Sequence, residues 1–214
     1  MRNILLLSAV SAALAASSGL APRPATIEAT VLDQRGSPVE GAVVFAISGA
    51  VESPPAKTVE MTMKGMEFDP AFSSVSVGDS VSFPNQDSTH HHVYSFSKTK
   101  KFDSRLYKDG APKVVEFDKP GLVTVGCKIH DWMKGTILVT PSALRAVTGK
   151  DGKAELRMQA GPSVKLGVYH PRLRGKPEKH DQEITLKDGK GAATWKLPLK
   201  KESSGGKRPH KVYY

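Results

Sequence analysis

Gly121-Leu-Val-Thr-Val-Gly-Cys127-Lys-Ile-His130-Asp-Trp-Met133-Lys-Gly-Thr-Ile-Leu-Val-Thr140 opens and closes on runs of Val, Leu, Ile and Thr. That composition belongs to strands. The run predicts two strands, 121–127 and 136–139, with a compact connection between them. The connection sets a thiol, an imidazole and a thioether at i, i+3 and i+6, and a loop of that size aims all three at one point.

Upstream, Asn85-Gln-Asp-Ser-Thr-His90-His91-His92-Val93 offers further imidazoles at the end of another strand. Successive residues of a strand face opposite ways, so one of the three histidines points where its neighbours do not. Two imidazoles, one thiolate and a weak thioether form the ligand set that favours copper. Zinc is the rival ion, but a structural zinc site takes a fourth strong ligand. His170 has no cysteine or carboxylate cluster around it and reads as structural. Met61, Met63 and Met66 read as packing residues rather than a second soft-metal site.

Further out, short alternating segments separated by Gly, Pro, Asn and Asp continue in both directions. They predict strands at 26–32, 38–47, 58–63, 74–77, 80–83, 92–97 and 113–117 before the quoted stretch. After it they predict strands at 153–158, 164–169, 182–186 and 192–197. No long apolar stripe of helical period appears, so the fold class is all-β.

The two ends of the chain carry other signals. Arg2, the apolar run Ile4 to Ala16 and the small residues Ala13-Leu-Ala15 have the pattern of a cleaved signal peptide, 1–16. That run is too short to span a bilayer, so stable membrane insertion is not expected. Export to the periplasm argues against nucleic acid as a partner. It also makes the one cysteine of the 214 residues informative. Cys127 forms no bridge within the chain, and burial or metal coordination is the expected reason for it in an oxidising compartment. The net charge of +10 is concentrated in residues 145–214, with 17 Lys+Arg against 7 Asp+Glu. A basic region of this kind favours acidic partners. Residues 200–214, charged and rich in Gly and Ser, read as a disordered basic tail.

The Cys127-x-x-His130-x-x-Met133 spacing resembles that of the amicyanin-type cupredoxins, which are related to the plastocyanins. In that family the first histidine follows an Asn by six residues and precedes a polar residue and Val. Asn85, His91, His92 and Val93 match this pattern, as does the approach from Phe68 to Asn85. The resemblance implies a Greek-key β-sandwich over 57–140 and one type 1 copper held by His91, Cys127, His130 and Met133. It implies that Asn85 ties the two ligand-bearing loops together, and it leaves His92 beside the site. The His130 ring edge would be the electron route, with Trp132 in an apolar docking patch.

Val31-Leu-Asp-Gln-Arg-Gly-Ser-Pro-Val-Glu-Gly-Ala-Val-Val44 resembles the first hairpin of carboxypeptidase-regulatory-like domains, an Ig/transthyretin-like β-sandwich. The Thr-x-x-x-Gly turn that continues it in that family appears only at Thr148-Gly-Lys-Asp-Gly152. The resemblance implies a discontinuous domain, 25–52 plus 142–199, with the cupredoxin domain inserted into one of its loops. Insertion there costs little closure entropy if the inserted ends lie close together. His91-His-Val-Tyr-Ser-Phe-Ser97, Gly126-Cys, Ile129-His-Asp and Tyr169-His-Pro-Arg-Leu173 also resemble a group known as methylamine utilisation proteins.

The function these readings imply is a periplasmic blue copper protein that passes single electrons between redox partner proteins. It is not an enzyme, since multicopper oxidases and copper nitrite reductases need further histidine-rich centres. The alternative is a copper-binding, storage or structural interaction protein with no carrier role.

Overall fold

The computed structural model of the chain describes residues 21–51, 54–201 and 212–213. The expected signal peptide, 1–16, lies outside them, as does most of the expected tail. In chain order the strands are β1 (Arg23–Asp33), β2 (Val43–Val51), β3 (Thr58–Glu60), β4 (Thr62–Met63), β5 (Phe68–Asp69) and β6 (Phe72–Ser76). Next come β7 (Ser80–Phe83), β8 (Val93–Phe96), β9 (Lys101–Asp103), β10 (Lys113–Glu116), β11 (Gly121–Cys127) and β12 (His130–Thr140). The last are β13 (Arg145–Val147), β14 (Lys153–Tyr169), β15 (Gln182–Thr185), β16 (Lys190–Leu197) and β17 (Val212–Tyr213). A short 3-10 turn at Pro177–His180 interrupts an otherwise all-β chain, the class expected from its alternation.

Residues 58–140 form a two-sheet sandwich. One sheet is β10-β7-β3; the other is β6-β12-β11-β8-β9, with β17 added at the β6 edge. Val81, Phe83 and Val115 of the first meet Val75, Val93, Val123, Val125, Ile137 and Val139 of the second in one buried core. Met61 and Met63 are fully buried there and Met66 is exposed, which fits packing rather than a shared ion.

Ile137-Leu138-Val139 lacks polar alternation because both faces of β12 are covered. Ile137 and Val139 turn into the sandwich core. Leu138, with Phe72 of the neighbouring β6, belongs to the apolar cluster of the remaining sheet. That sheet has the order β13-β2-β14-β1-β16, with β15 beside β14, and draws on two stretches far apart in sequence, Arg23–Val51 and Arg145–Leu197. Arg145 joins the two bodies at the same place: its guanidinium donates to Ser76 Oγ at 2.7 Å and to the Ser74 carbonyl at 3.1 Å. Phe72 and Tyr169 meet there with ring centroids 5.6 Å apart.

Three expectations need correction. Segments 153–158 and 164–169 are not separate strands but the two halves of β14. The first half pairs with β1 and the second with β15, while β2 runs along β14 from Gln159 to Tyr169 with register shifts between Ala160 and Leu166. Pro162 has no N–H to give a ladder, so the pairing changes partner around it without ending the strand. The strand expected at 136–139 begins at His130 instead. Finally, the tail is not structureless throughout. Val212–Tyr213 run parallel to Phe72–Ser73 and use backbone groups that an edge strand would leave unpaired.

Candidate metal centre

Because β11 ends at Cys127 and β12 begins at His130, the ligand segment is a tight hairpin rather than an open loop. The ladder pairs Cys127 with His130 and Gly126 with Lys134, so Asp131, Trp132 and Met133 bulge out of it. A bulge re-aims side chains. Here it sends Met133 into the sandwich core that also holds Cys127 and leaves Trp132 64% exposed. Cys127 and Met133 also line one surface groove with Tyr94, Phe96 and Lys134.

The second donor segment precedes β8. His91 is wholly buried, and its backbone N–H and C=O both pair with Tyr107 at 2.9 Å. His90 is exposed, and the ring of His92 turns outward to the carboxylate of Asp103. The three successive histidines thus take the alternating directions of an extended chain.

His91 Nδ1 lies 3.7 Å from Cys127 Sγ, His130 Nδ1 lies 3.5 Å from that sulfur, and the two nitrogens are 3.2 Å apart. Three donor atoms so placed form a nearly equilateral triangle. Its centre is about 2.0 Å from each corner, close to ordinary metal–imidazole and metal–thiolate bond lengths. The residues present therefore fit a transition-metal ion, and among the described residues theirs is the donor cluster of that kind. His130 is half-buried and packs against Trp132, ring centroids 5.3 Å apart with the planes tilted by 50°.

Asn85 does not reach the hairpin, contrary to the tie that the resemblance implied. Its Nδ2 donates to the Thr89 carbonyl at 2.9 Å and, at 3.4 Å, to the Tyr107 carbonyl, while its Oδ1 accepts the Asp87 N–H, so it ties the His91 segment to Tyr107 rather than to the hairpin. The two donor segments are joined instead by backbone groups of His92, whose N–H points at Cys127 Sγ at 3.5 Å and whose carbonyl accepts the Lys128 N–H. Asp103 reinforces this join from outside, taking Lys128 Nζ at 2.6 Å as well as His92. Lys128, the Arg105 N–H and His92 hold its carboxyl well below the usual carboxylate range.

Asp87 and Tyr107 were not foreseen from sequence. Asp87 Oδ2 lies 2.9 Å from His91 Nε2. Burial opposes its charge, but hydrogen bonds from the Met66 and Gly65 N–H groups and from His91 outweigh that and keep its pKa below normal. Tyr107 donates its hydroxyl to the Phe83 carbonyl at 2.6 Å, and burial, followed by the nearby Cys127, pushes its pKa up. Neither residue sits at a spacing that any periodicity would flag; only the folded loop brings them to the ligands.

No protein-family model matches the chain, and no curated protein does. Among solved structures it is similar to a purple cupredoxin from Nitrosopumilus maritimus, with 23% identity and a TM-score of 0.34 over 40% of this chain and 100% of that one. It is similar to a reduced mutant form of amicyanin, with 19% identity and a TM-score of 0.36 over 47% of this chain and 99% of that one. It is also similar to a copper-containing nitrite reductase from Thermus scotoductus, with 26% identity and a TM-score of 0.36 over 52% of this chain and 28% of that one. Likenesses this partial carry no weight in assigning chemistry, which rests on the donor atoms.

Proposed function

We propose that the chain is a one-copper electron carrier of the cupredoxin type, its ion held by His91, Cys127 and His130 with Met133 as a weak fourth donor. The observation that carries this reading is the triangle of one sulfur and two imidazole nitrogens around a centre of metal-bond dimensions. A closed zinc site would need a fourth strong ligand, and the neighbouring buried side chain on the hairpin is the thioether of Met133. Copper bound there would exchange one electron between its two common oxidation states. The protein's part is to keep three donors preset at the ends of β8, β11 and β12 and to shelter all but the His130 edge from water.

That edge, with Trp132 and the half-exposed Ile129, makes a small apolar surface beside the donors. We assign it to brief docking of a redox partner protein, the kind of encounter that small interfaces serve. The excess of positive charge in residues 145–214 supports an acidic partner. The leader-like first residues support a periplasmic location. The sheet built from Arg23–Val51 and Arg145–Leu197 supports a discontinuous outer domain, 25–52 plus 142–199, carrying the inserted domain 57–140.

Adding copper(II) to the purified protein should produce an intense visible sulfur-to-copper charge-transfer band, and Cys127→Ser should abolish it while far-UV circular dichroism stays unchanged. A band that survives Cys127→Ser excludes the assignment. A protein that binds copper and shows the band but exchanges electrons slowly would be a store rather than a carrier.

A further inference from the structure

Asp87 is fastened before any ion is considered. Its Oδ1 accepts the Gly65 N–H at 2.6 Å and its Oδ2 accepts the Met66 N–H at 2.9 Å. Gly65 and Met66 have φ of 65° and 55°, a sparsely populated conformation for the non-glycine Met66. This turn directs two successive N–H groups at one carboxylate, the backbone geometry that binds anions. The same Oδ2 meets Nε2 of His91, whose side chain has no solvent exposure while that of Asp87 has 14%.

An ionised carboxylate only accepts hydrogen bonds, so Nε2 of His91 must carry the proton. A neutral ring held in this way has its bare lone pair at Nδ1. That is the atom facing Cys127 Sγ and His130 Nδ1. The hydrogen bond to an anion also makes Nδ1 more basic. A negative charge one imidazole away from an ion favours its more highly charged state.

We propose that Asp87 is a positioning residue of the donor site: it locks His91 as an Nδ1 donor and, through that ring, weights the site toward Cu(II) over Cu(I). This rests on the copper reading above. Removal of such an outer partner typically weakens metal binding about 10- to 100-fold. Because the lost interaction matters more to the doubly charged ion, most of that loss should fall on Cu(II).

The test has one arm without metal and one with it. In the ¹⁵N-labelled metal-free wild type, long-range ¹H–¹⁵N correlations should show His91 protonated at Nε2 and bare at Nδ1. Protonation at Nδ1 would overturn the proposal whatever any variant does. In Asp87→Asn, checked for folding by circular dichroism, the copper protein should keep its charge-transfer band. Its Cu(II)/Cu(I) affinity ratio should fall about tenfold or more, read as a rise in one-electron potential of about 59 mV per factor of ten. Asp87→Glu, which keeps the charge, should shift the potential less than Asp87→Asn. A ratio within about twofold of wild type in Asp87→Asn would sink the proposal and leave the copper reading standing. Absence of the band in the wild type would sink that reading and the redox part of this one, while the metal-free spectrum still decides the positioning role.

Discussion

At the scale of single residues, the site depends on which of several similar side chains face inward. His91 is wholly buried against the sulfur, whereas His90 is exposed and His92 is paired to Asp103. His91→Ala should therefore abolish the copper band and His90→Ala should retain it, as absorption spectra of the two variants will report; the reverse pattern would move the donor by one position. Asp103 makes a different kind of contribution. Its carboxyl is held below the usual value by Lys128, the Arg105 N–H and His92. A depressed folded-state pKa means that this stabilisation is present above the ordinary carboxylate pKa of about 3.9 and is lost as pH falls below it. The urea midpoint of Asp103→Asn should lie below that of the wild type at pH 7, and the gap should shrink progressively below about pH 4. Because the group is exposed, the gap will be small.

At the scale of elements, the β11–β12 hairpin and the turn into β14 show how backbone geometry sets side-chain direction. In the hairpin, a register shift after Gly126 separates buried Met133 from exposed Trp132, although the two are adjacent in sequence. In the turn before β14, Thr148 Oγ1 accepts the Ala42 N–H at 2.9 Å and donates to the Val39 carbonyl at 2.5 Å. Gly152 closes that turn with φ +72°, and a Cβ there would lie 2.6 Å from the Val31 carbonyl oxygen. Backbone is in the way on one side and a left-handed conformation is required on the other. Gly152→Ala should therefore cost about 1–3 kcal/mol, read by denaturant unfolding, with the copper band unaffected in the folded fraction. A cost near zero would mean that the turn can relax, and that its Thr and Gly are not what hold the two halves of the outer sheet together.

At the scale of the whole molecule, the sandwich and the outer sheet share a contact through Phe72, Leu138, Tyr169 and Arg145. Phe72 is 1% exposed, and truncating a buried aromatic to alanine costs about 3–5 kcal/mol. The wild type should unfold in one transition. Phe72→Ala should lower its midpoint and split it into two, since the joining surface is lost while each core remains. Ligand binding stabilises only what folds around the ligand. Saturating copper should therefore raise the sandwich transition of Phe72→Ala and leave the other where it is, which differential scanning calorimetry can resolve. Two transitions already present in the wild type would show that the shared surface does not couple the parts.

The all-β class was legible because alternation and turn chemistry are local, and so was the set of donor types, because Cys127, His130 and Met133 stand close together in the chain. The choice of donor atom, the role of Asp87 and the join through His92 and Asp103 were not. They depend on residues brought together from separate segments, where neither period nor spacing carries information. The same holds for the continuity of β14 across Pro162 and for the bulge that separates Met133 from Trp132. Local pattern determined which residues could serve; tertiary packing decided which of them meet, because direction and distance between distant segments exist only once both faces of β12 are buried.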